Sequence, residues 1–291
     1  MLLSLAACGK DNVVKRGALE MEGEGLFVSP EHEAHRKEED GVSSDSTYER
    51  VNYSNLSAAL MDLESGKIIK LSVTESVANY VVAHNDKFTV SVNKDNLKNF
   101  SMMTSESNTE VYNILNNAIK AMKEDGTLDS LIESELKAYI NSDPEPKDLP
   151  HFDGARTIKI GVTGDLPPMD FVAANGKAAG FNIALLTEIA NRAQVNFELV
   201  QIETDARAMA LSTGKVDAVF WTRSSTCSKC GATSVNGVEG TLATESYFTD
   251  YSASLKLKSD KQSGSPQPQG QSSLVSSGTA VSSYRSYNQQ Y

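Results

Sequence analysis

Ile158-Lys-Ile-Gly-Val162, Asn196-Phe-Glu-Leu-Val-Gln-Ile202 and Val216-Asp-Ala-Val-Phe-Trp221 are three short apolar runs rich in β-branched and aromatic residues. Between the first two lies Ile183 to Ala193, where Leu185, Leu186, Ile189 and Ala190 recur at helical spacing. Between the last two lies Ala206 to Ser212, a short helical run stopped at Thr213-Gly214. Strand and helix periods alternate, which predicts an α/β fold with mainly parallel sheets. The connections fit. Gly164-Asp-Leu-Pro-Pro168 reads as a loop, Met169-Asp-Phe-Val172 as extended chain, Asn175-Gly176 as a tight turn and Asn182 as a helix N-cap.

Toward the N-terminus the same grammar recurs. Leu56, Ala59, Leu60 and Leu63 mark a helix ended by Ser65-Gly66, Lys67 to Val73 a strand, Glu75 to His84 a helix, and Phe88 to Val92 a strand. Val111, Leu115, Ala118, Ile119 and Met122 form the buried stripe of a helix over 109–123, and Leu128 to Ile140 reads as another. Pro144, Pro146 and Pro150 then mark a linker. Residues 9–50 are polar and mixed in charge, and are expected to be a linker; His32 and His35 lie in it among acids, without a rigid frame for a metal. Residues 51–148 and 157–260 form two ordered segments, and 261–291, dominated by Ser, Gln, Gly and Tyr, reads as a disordered tail.

The 291 residues suffice for a real core, and 40% hydrophobic with 22% charged residues is a globular composition. The net charge of -11 argues against nucleic acid or an anionic membrane surface as partner. No apolar run reaches the length of a bilayer span. The start, Leu5-Ala-Ala-Cys8, has the form of a bacterial lipoprotein processing site, with Cys8 as the lipid-bearing residue. Three cysteines are too few for a disulfide scaffold. Cys227-Ser-Lys-Cys230 is one CxxC without the second pair that a zinc ribbon needs; a loop disulfide or chance pair is favoured over a thiol oxidoreductase site.

Ile158 to Trp221 resembles the first lobe of the family 3 bacterial extracellular solute-binding proteins, which have the type II periplasmic binding fold. The resemblance is carried, in order, by Ile158-Lys-Ile-Gly-Val162, Pro167-Pro-Met-Asp-Phe171, Asn175-Gly-Lys-Ala-Ala-Gly-Phe-Asn182 and Gly214-Lys-Val-Asp217. Glu245-Ser-Tyr-Phe-Thr249 is similar to the family's aromatic segment. Ser65-Gly-Lys67, Val77-Ala-Asn-Tyr80 and Lys123-Glu-Asp-Gly-Thr-Leu128 look like the end of the second lobe and its return helices. The lobes thus stand in inverted order. A truncated or fused tandem of receptors is favoured over a circular permutation or a rearranged gene, because a permutant should retain every strand.

The resemblance implies a two-lobed extracytoplasmic receptor of an ABC importer. It would bind an amino acid or similar small polar solute between lobes, without catalysis or cofactor. It would dock on a permease and meet the membrane only through its lipid anchor. A sensor or regulatory module of the same fold is the alternative. A zwitterion calls for a cation at its carboxylate, an acid at its ammonium and an aromatic on its side chain. The implied contacts are Asp165, Met169 and Phe171 on the first loop, and Trp221, Thr222, Arg223, Thr226 and Lys229 around the third strand's end. From the other lobe come Thr74 and Glu75. Lys229 stands where the family has an arginine, and Thr74 where it has an aspartate. Trp221 reads equally well as core packing.

Overall fold

The computed structural model describes residues 13–19, 48–143, 145–229, 231, 233–235 and 237–258. In chain order its elements are β1 (Val14–Leu19), β2 (Tyr48–Tyr53), α1 (Leu56–Glu64), β3 (Leu71–Thr74), α2 (Glu75–His84) and β4 (Phe88–Ser105). There follow α3 (Thr109–Glu124) and α4 (Thr127–Leu131), which runs on into a π-helical turn over Ile132–Lys137. Then come β5 (Thr157–Val162), β6 (Asp165–Leu166), β7 (Asp170–Val172), β8 (Ala178–Ala179), α5 (Phe181–Ala193) and β9 (Asn196–Gln201). A 3-10 turn leads into α6 (Arg207–Ser212), and β10 (Ala218–Cys227), β11 (Thr233–Val235), β12 (Thr241–Ala243) and β13 (Phe248–Leu257) complete the set.

One large sheet has the order β2-β1-β3-β13-β4-β10-β5-β9, with β11 on β10 and β12 on β4; β6-β7-β8 form a small second sheet. The large sheet has two parallel halves. In the first, β1 lies between β2 and β3. In the second, β5 lies between β9 and β10. The halves are joined by two long antiparallel strands, β4 and β13, paired from Phe88↔Leu257 to Phe100↔Phe248. β13 closes the first half against β3, and β4 closes the second against β10. The sheet is therefore mixed, not mainly parallel: short helices connect strands within a half, whereas the connections between halves run antiparallel.

Several expectations need correction. Val14–Leu19 is no linker but an interior strand. Lys15 and Arg16 hid it, yet Arg16 is buried, and Gly17 lets Tyr53 and Leu71 pack against its backbone, where an added Cβ would lie 2.9 and 3.1 Å from them. The strand expected over 67–73 covers only Leu71–Thr74. The one expected over 88–92 runs to Ser105. Its polar middle reads as loop, but it is the half-exposed stretch that passes between halves. The α-helix expected over 128–140 ends at Leu131 and gives way to the π turn. Cys8, His32 and His35 and the expected tail lie outside the described residues. The favoured tandem order rested on missing strands; β1 and β2 are present, so that ground for it falls.

The main core joins both halves. Leu63, Leu71 and Val77 come from the first half, while Leu115, Ile119, Phe181, Leu185 and Ile189 come from α3 and α5 in the second. Arg192 on α5 ties the α3–α4 corner, donating to Asp125 at 2.8 Å and to the Thr127 hydroxyl at 2.8 Å. Hydrogen bonds to Asp125 from the Thr127 hydroxyl first, then the Thr127 amide at 2.9 Å and Arg192, pull its carboxyl down to about 2.

α5 begins at Gly180, not at the expected cap Asn182. Gly180 has φ 108, and a Cβ there would strike the Met169 carbonyl oxygen and lie 2.7 Å from that of Pro168. Gly180→Ala is therefore expected to cost about 3 kcal/mol, read as a lower midpoint of chemical unfolding. An unchanged midpoint would contradict this packing.

Candidate functional site

In open α/β sheets the crevice for a ligand lies outside the carboxyl ends of the parallel strands. Here those ends are the loop after β2, the β3–α2 junction and the loop after β5. The β5 loop is built around Asp170, which is buried. Its Oδ1 accepts from the Thr163 amide at 3.0 Å, the Thr163 hydroxyl at 2.7 Å and the Gly164 amide at 2.9 Å. Its Oδ2 accepts from Asn182 Nδ2 at 2.9 Å, so Asn182 serves the loop rather than the helix start. Gln201 Nε2 donates to the Thr163 carbonyl at 3.0 Å. Tyr247, packed against Phe181 and Phe220, backs the assembly.

This rigid loop presents Asp165 to the other half. Asp165 Oδ2 accepts from the Ser57 amide at 3.0 Å, and Oδ1 accepts from the Ser57 hydroxyl at 2.8 Å. Ser57 lies in the first turn of α1, where amides lack intrahelical partners and a carboxylate is favoured. Asn55 caps the same turn through the Ala58 amide at 2.9 Å. Thr204 adds a second bridge, its hydroxyl donating to the Ser54 carbonyl at 3.1 Å. The carboxyl edges of the two halves therefore face each other.

At the β3–α2 junction Thr74 is buried and precedes the first residue of α2. Asp250 on β13 reaches this turn. Its Oδ2 accepts from the Ser76 amide at 3.0 Å and its Oδ1 from the Tyr251 amide at 2.9 Å. Burial pushes the Asp250 carboxyl up, against the Ser76, Tyr251 and Thr74 bonds that draw it down. Glu75 meets Lys94 Nζ at 2.9 and 2.7 Å.

The other expected contacts scatter. Met169 is buried in the main core, and Phe171 is half-exposed on β7. Trp221 is 4% exposed in a separate cluster with Met103, Ile202, Leu211 and Val219. Thr222 and Arg223 lie in β10 at a step in its register against β4; their side chains are outside the description. Thr226 is half-buried opposite Leu97 and Thr233. Lys229 is exposed in the turn after β10 and pairs with Asp95 at 2.9 Å. The Cys227 side chain and Cys230 are outside the description, and no group of three His, Cys, Asp or Glu among the described residues could hold a metal. The structure thus groups Thr74 and Glu75 with Asp250, and Asp165 with Ser57. Sequence reading passed over Ser57, Lys94, Asp95 and Asp250. For Ser57 a signal existed: Asn55-Leu-Ser57 opens a helix, and an opening turn offers free amides.

The Asp250 geometry sets a sign. Its folded carboxyl titrates above the ordinary 3.8, so the native state holds the proton longer than the unfolded chain does. Its contribution to stability falls as pH rises from the ordinary carboxylate value through the raised folded one. The stability of the wild-type protein minus that of Asp250→Asn, from urea unfolding, should fall across that interval. A difference that rises with pH would refute the assignment.

Residues 158–235 match the model of the bacterial extracellular solute-binding proteins, family 3, a family of binding proteins. The matched residues hold β5 through β11 and include the Asp165 loop. No curated protein matches the chain. Among solved structures, the chain is similar to a zinc-bound ligand-binding component of an ABC-type import system from Staphylococcus aureus, with 10% identity and TM-score 0.41 over 83% of this chain and 65% of that one. It is also similar to the probable amino-acid ABC transporter extracellular-binding protein of Bacillus subtilis, with 9% identity and TM-score 0.41 over 87% of each chain. The reduced OxyR regulatory domain from Pseudomonas aeruginosa gives 8% identity and TM-score 0.40 over 86% of this chain and 91% of that one. The chain spans under two thirds of the Staphylococcus aureus protein it matches. No helix among the described residues is long and apolar enough to cross a membrane.

Proposed function

We propose that this chain is the extracytoplasmic solute-binding component of an ABC importer, and that it takes an amino acid or similar small polar solute between its two halves. One observation carries the reading. The segment that matches a solute-binding family holds the loop whose Asp165 meets the first turn of α1 in the other half. A solute lodged there touches both halves at once, and closure follows from its contacts with each. The protein binds and does not catalyse. Its partner is a permease, and Cys8 carries the lipid that holds it to the membrane.

The test is a thermal-shift screen over the twenty L-amino acids, polyamines and small organic acids. A ligand that binds only the folded state stabilises it by about 2.7 kcal/mol at a hundred times its Kd. One class of solute should raise the unfolding temperature in a saturable way, and no shift across the screen would overturn the reading. The Asp165 bridge adds a sharper expectation. Asp165→Ala removes a carboxylate that links the halves and should weaken binding of the stabilising solute about fivefold to twentyfold by calorimetry. An unchanged Kd would place binding elsewhere.

A further inference from the structure

The two ends of α2 meet different neighbours. Its first turn holds Glu75 and the Ser76 amide, from which Asp250 accepts. Its last turn meets the chain that follows the π-helical turn of the second half. Tyr80 donates its hydroxyl to Asp143 Oδ1, and His84 Nε2 lies 3.7 Å from the same oxygen. The two rings stack, with centroids 4.0 Å apart and planes 23° apart. Just beyond Asp143 the chain is tied to the second half. Lys147 Nζ meets Glu135 of the π turn at 3.1 Å, and the Lys147 amide donates to the Ala178 carbonyl of β8 at 3.3 Å. Asp148 takes Lys177 Nζ at 2.8 and 2.7 Å, and the Phe152 amide donates to Asn196 Oδ1 of β9 at 2.8 Å. Asp143 and residues 145–152 therefore form a strap between α2 and the second half, apart from β4 and β13.

The hydrogen-bond pattern fixes what a proton does here. His84 Nδ1 lies 2.8 Å from the Tyr80 carbonyl oxygen, which can only accept, so Nδ1 carries the hydrogen of the neutral ring. Nε2 is then an acceptor, and it faces a carboxylate oxygen that can only accept as well. A proton on Nε2 turns that repulsion into a charge-assisted contact. It also places a cation at the C-terminal end of α2 and on the Tyr80 ring, both of which favour positive charge. Burial first, and then the bond to Asp143, push the Tyr80 hydroxyl up, so it remains a donor. The other charged groups on the elements around α2 are engaged or placed elsewhere. On β4, Lys94 and Asp95 meet Glu75 and Lys229, and Lys98 stands opposite Asp250 of β13. Lys256 of β13 alternates to the face opposite buried Leu255, and β3 carries no charge. Past the end of α2, Glu64 of α1 takes Asn85 and Lys87, and Asp86 is exposed in the turn.

We infer that Tyr80, His84 and Asp143 form a proton-tightened clasp between α2 and the strap, and that α2 passes the state of the clasp to the solute site at its other end. The inference rests on the solute-binding reading and deepens it with a regulation of that site. α2 has ten residues, so its ends are about 15 Å apart on one rigid element. The clasp and the Ser57–Asp165 bridge are formed together in this structure, so a tighter clasp favours the arrangement in which the carboxyl edges meet. The side chains of His84 and Asp143 are 33% and 74% exposed, which keeps the effect to the size of a surface ion pair.

The test compares the wild-type chain with His84→Gln at about pH 5.5 and about pH 7.5, on either side of the range in which histidine titrates. Urea unfolding gives the stability of the wild type minus that of the variant. This difference should be larger at the lower pH, because the protonated ring adds a contact that glutamine lacks and loses it as pH rises. Calorimetry with each L-amino acid except histidine gives the second readout. The wild type should bind its amino acid with a Kd about twofold to threefold lower at the lower pH. His84→Gln and Asp143→Asn should each abolish that pH dependence, and Asp143→Asn carries the test alone if His84→Gln does not fold. A stability difference that is flat or rises with pH, or a Kd ratio that the variants leave intact, overturns the clasp while the solute-binding reading stands. A wild type that binds no solute of the thermal-shift screen at either pH overturns both.

Discussion

The pairing of β4 with β13 is the constraint on which the rest depends. Each strand starts in one half of the sheet and ends in the other, so each half owes its antiparallel member to the crossing. Removing β13 would bare β3 at the edge of the first parallel set, removing β4 would bare β10 at the edge of the second, and either would open the shared core of Leu71, Phe88, Phe100 and Leu255. The same pairing fixes which ends of the parallel strands face each other. α1 and α2 begin at the carboxyl edge of the first half, the Asp165 loop leaves that of the second, and the Ser57–Asp165 bonds show the two edges in apposition.

The polar groups along that apposition are of two kinds. Asp170 and Asp250 are buried and held by neutral donors, mostly backbone amides, so they shape the β5 loop and the start of α2. A buried carboxylate with such donors stays in place and fixes the backbone that holds it. Asp165, Glu75 and Lys229 are more exposed and meet partners from other elements. Their bonds are the ones that a change in the spacing of the halves, or an arriving solute, can exchange. Rigid loops therefore carry exchangeable groups, which is what a site for a small molecule requires.

Much of the fold was legible because its helices bury one stripe. Leu56, Ala59 and Leu63, and Val111, Leu115, Ile119 and Met122, stand at helical spacing and are buried as that spacing demands. Glu75–His84 has the predicted bounds because β3 and Asn85 leave it no room to extend. β1 was not legible, since Lys15 and Arg16 break its apolar pattern although the Arg16 side chain is buried. The length of β4 was hidden too. Lys94, Asp95 and Asn96 interrupt it as a loop would, and only the register against β13 shows that the strand resumes. In the site, Asp165, Thr74 and Glu75 could be placed at strand ends from sequence. Their partners Ser57, Asp250 and Lys94 could not, because those contacts join residues up to 174 positions apart through tertiary packing alone. Trp221 and Met169 illustrate the converse: an apolar residue near a strand end looks like a contact until the cluster that buries it is known.

The claim that two halves close on a small solute at their carboxyl edges is tested most directly by amide hydrogen exchange, with and without the solute that most stabilises the protein. The account predicts slowed exchange in three separate stretches at once: 54–58 at the start of α1, 74–77 at the start of α2, and 162–166 in the β5 loop. Protection confined to one half, or none in these stretches despite saturating solute, would contradict it.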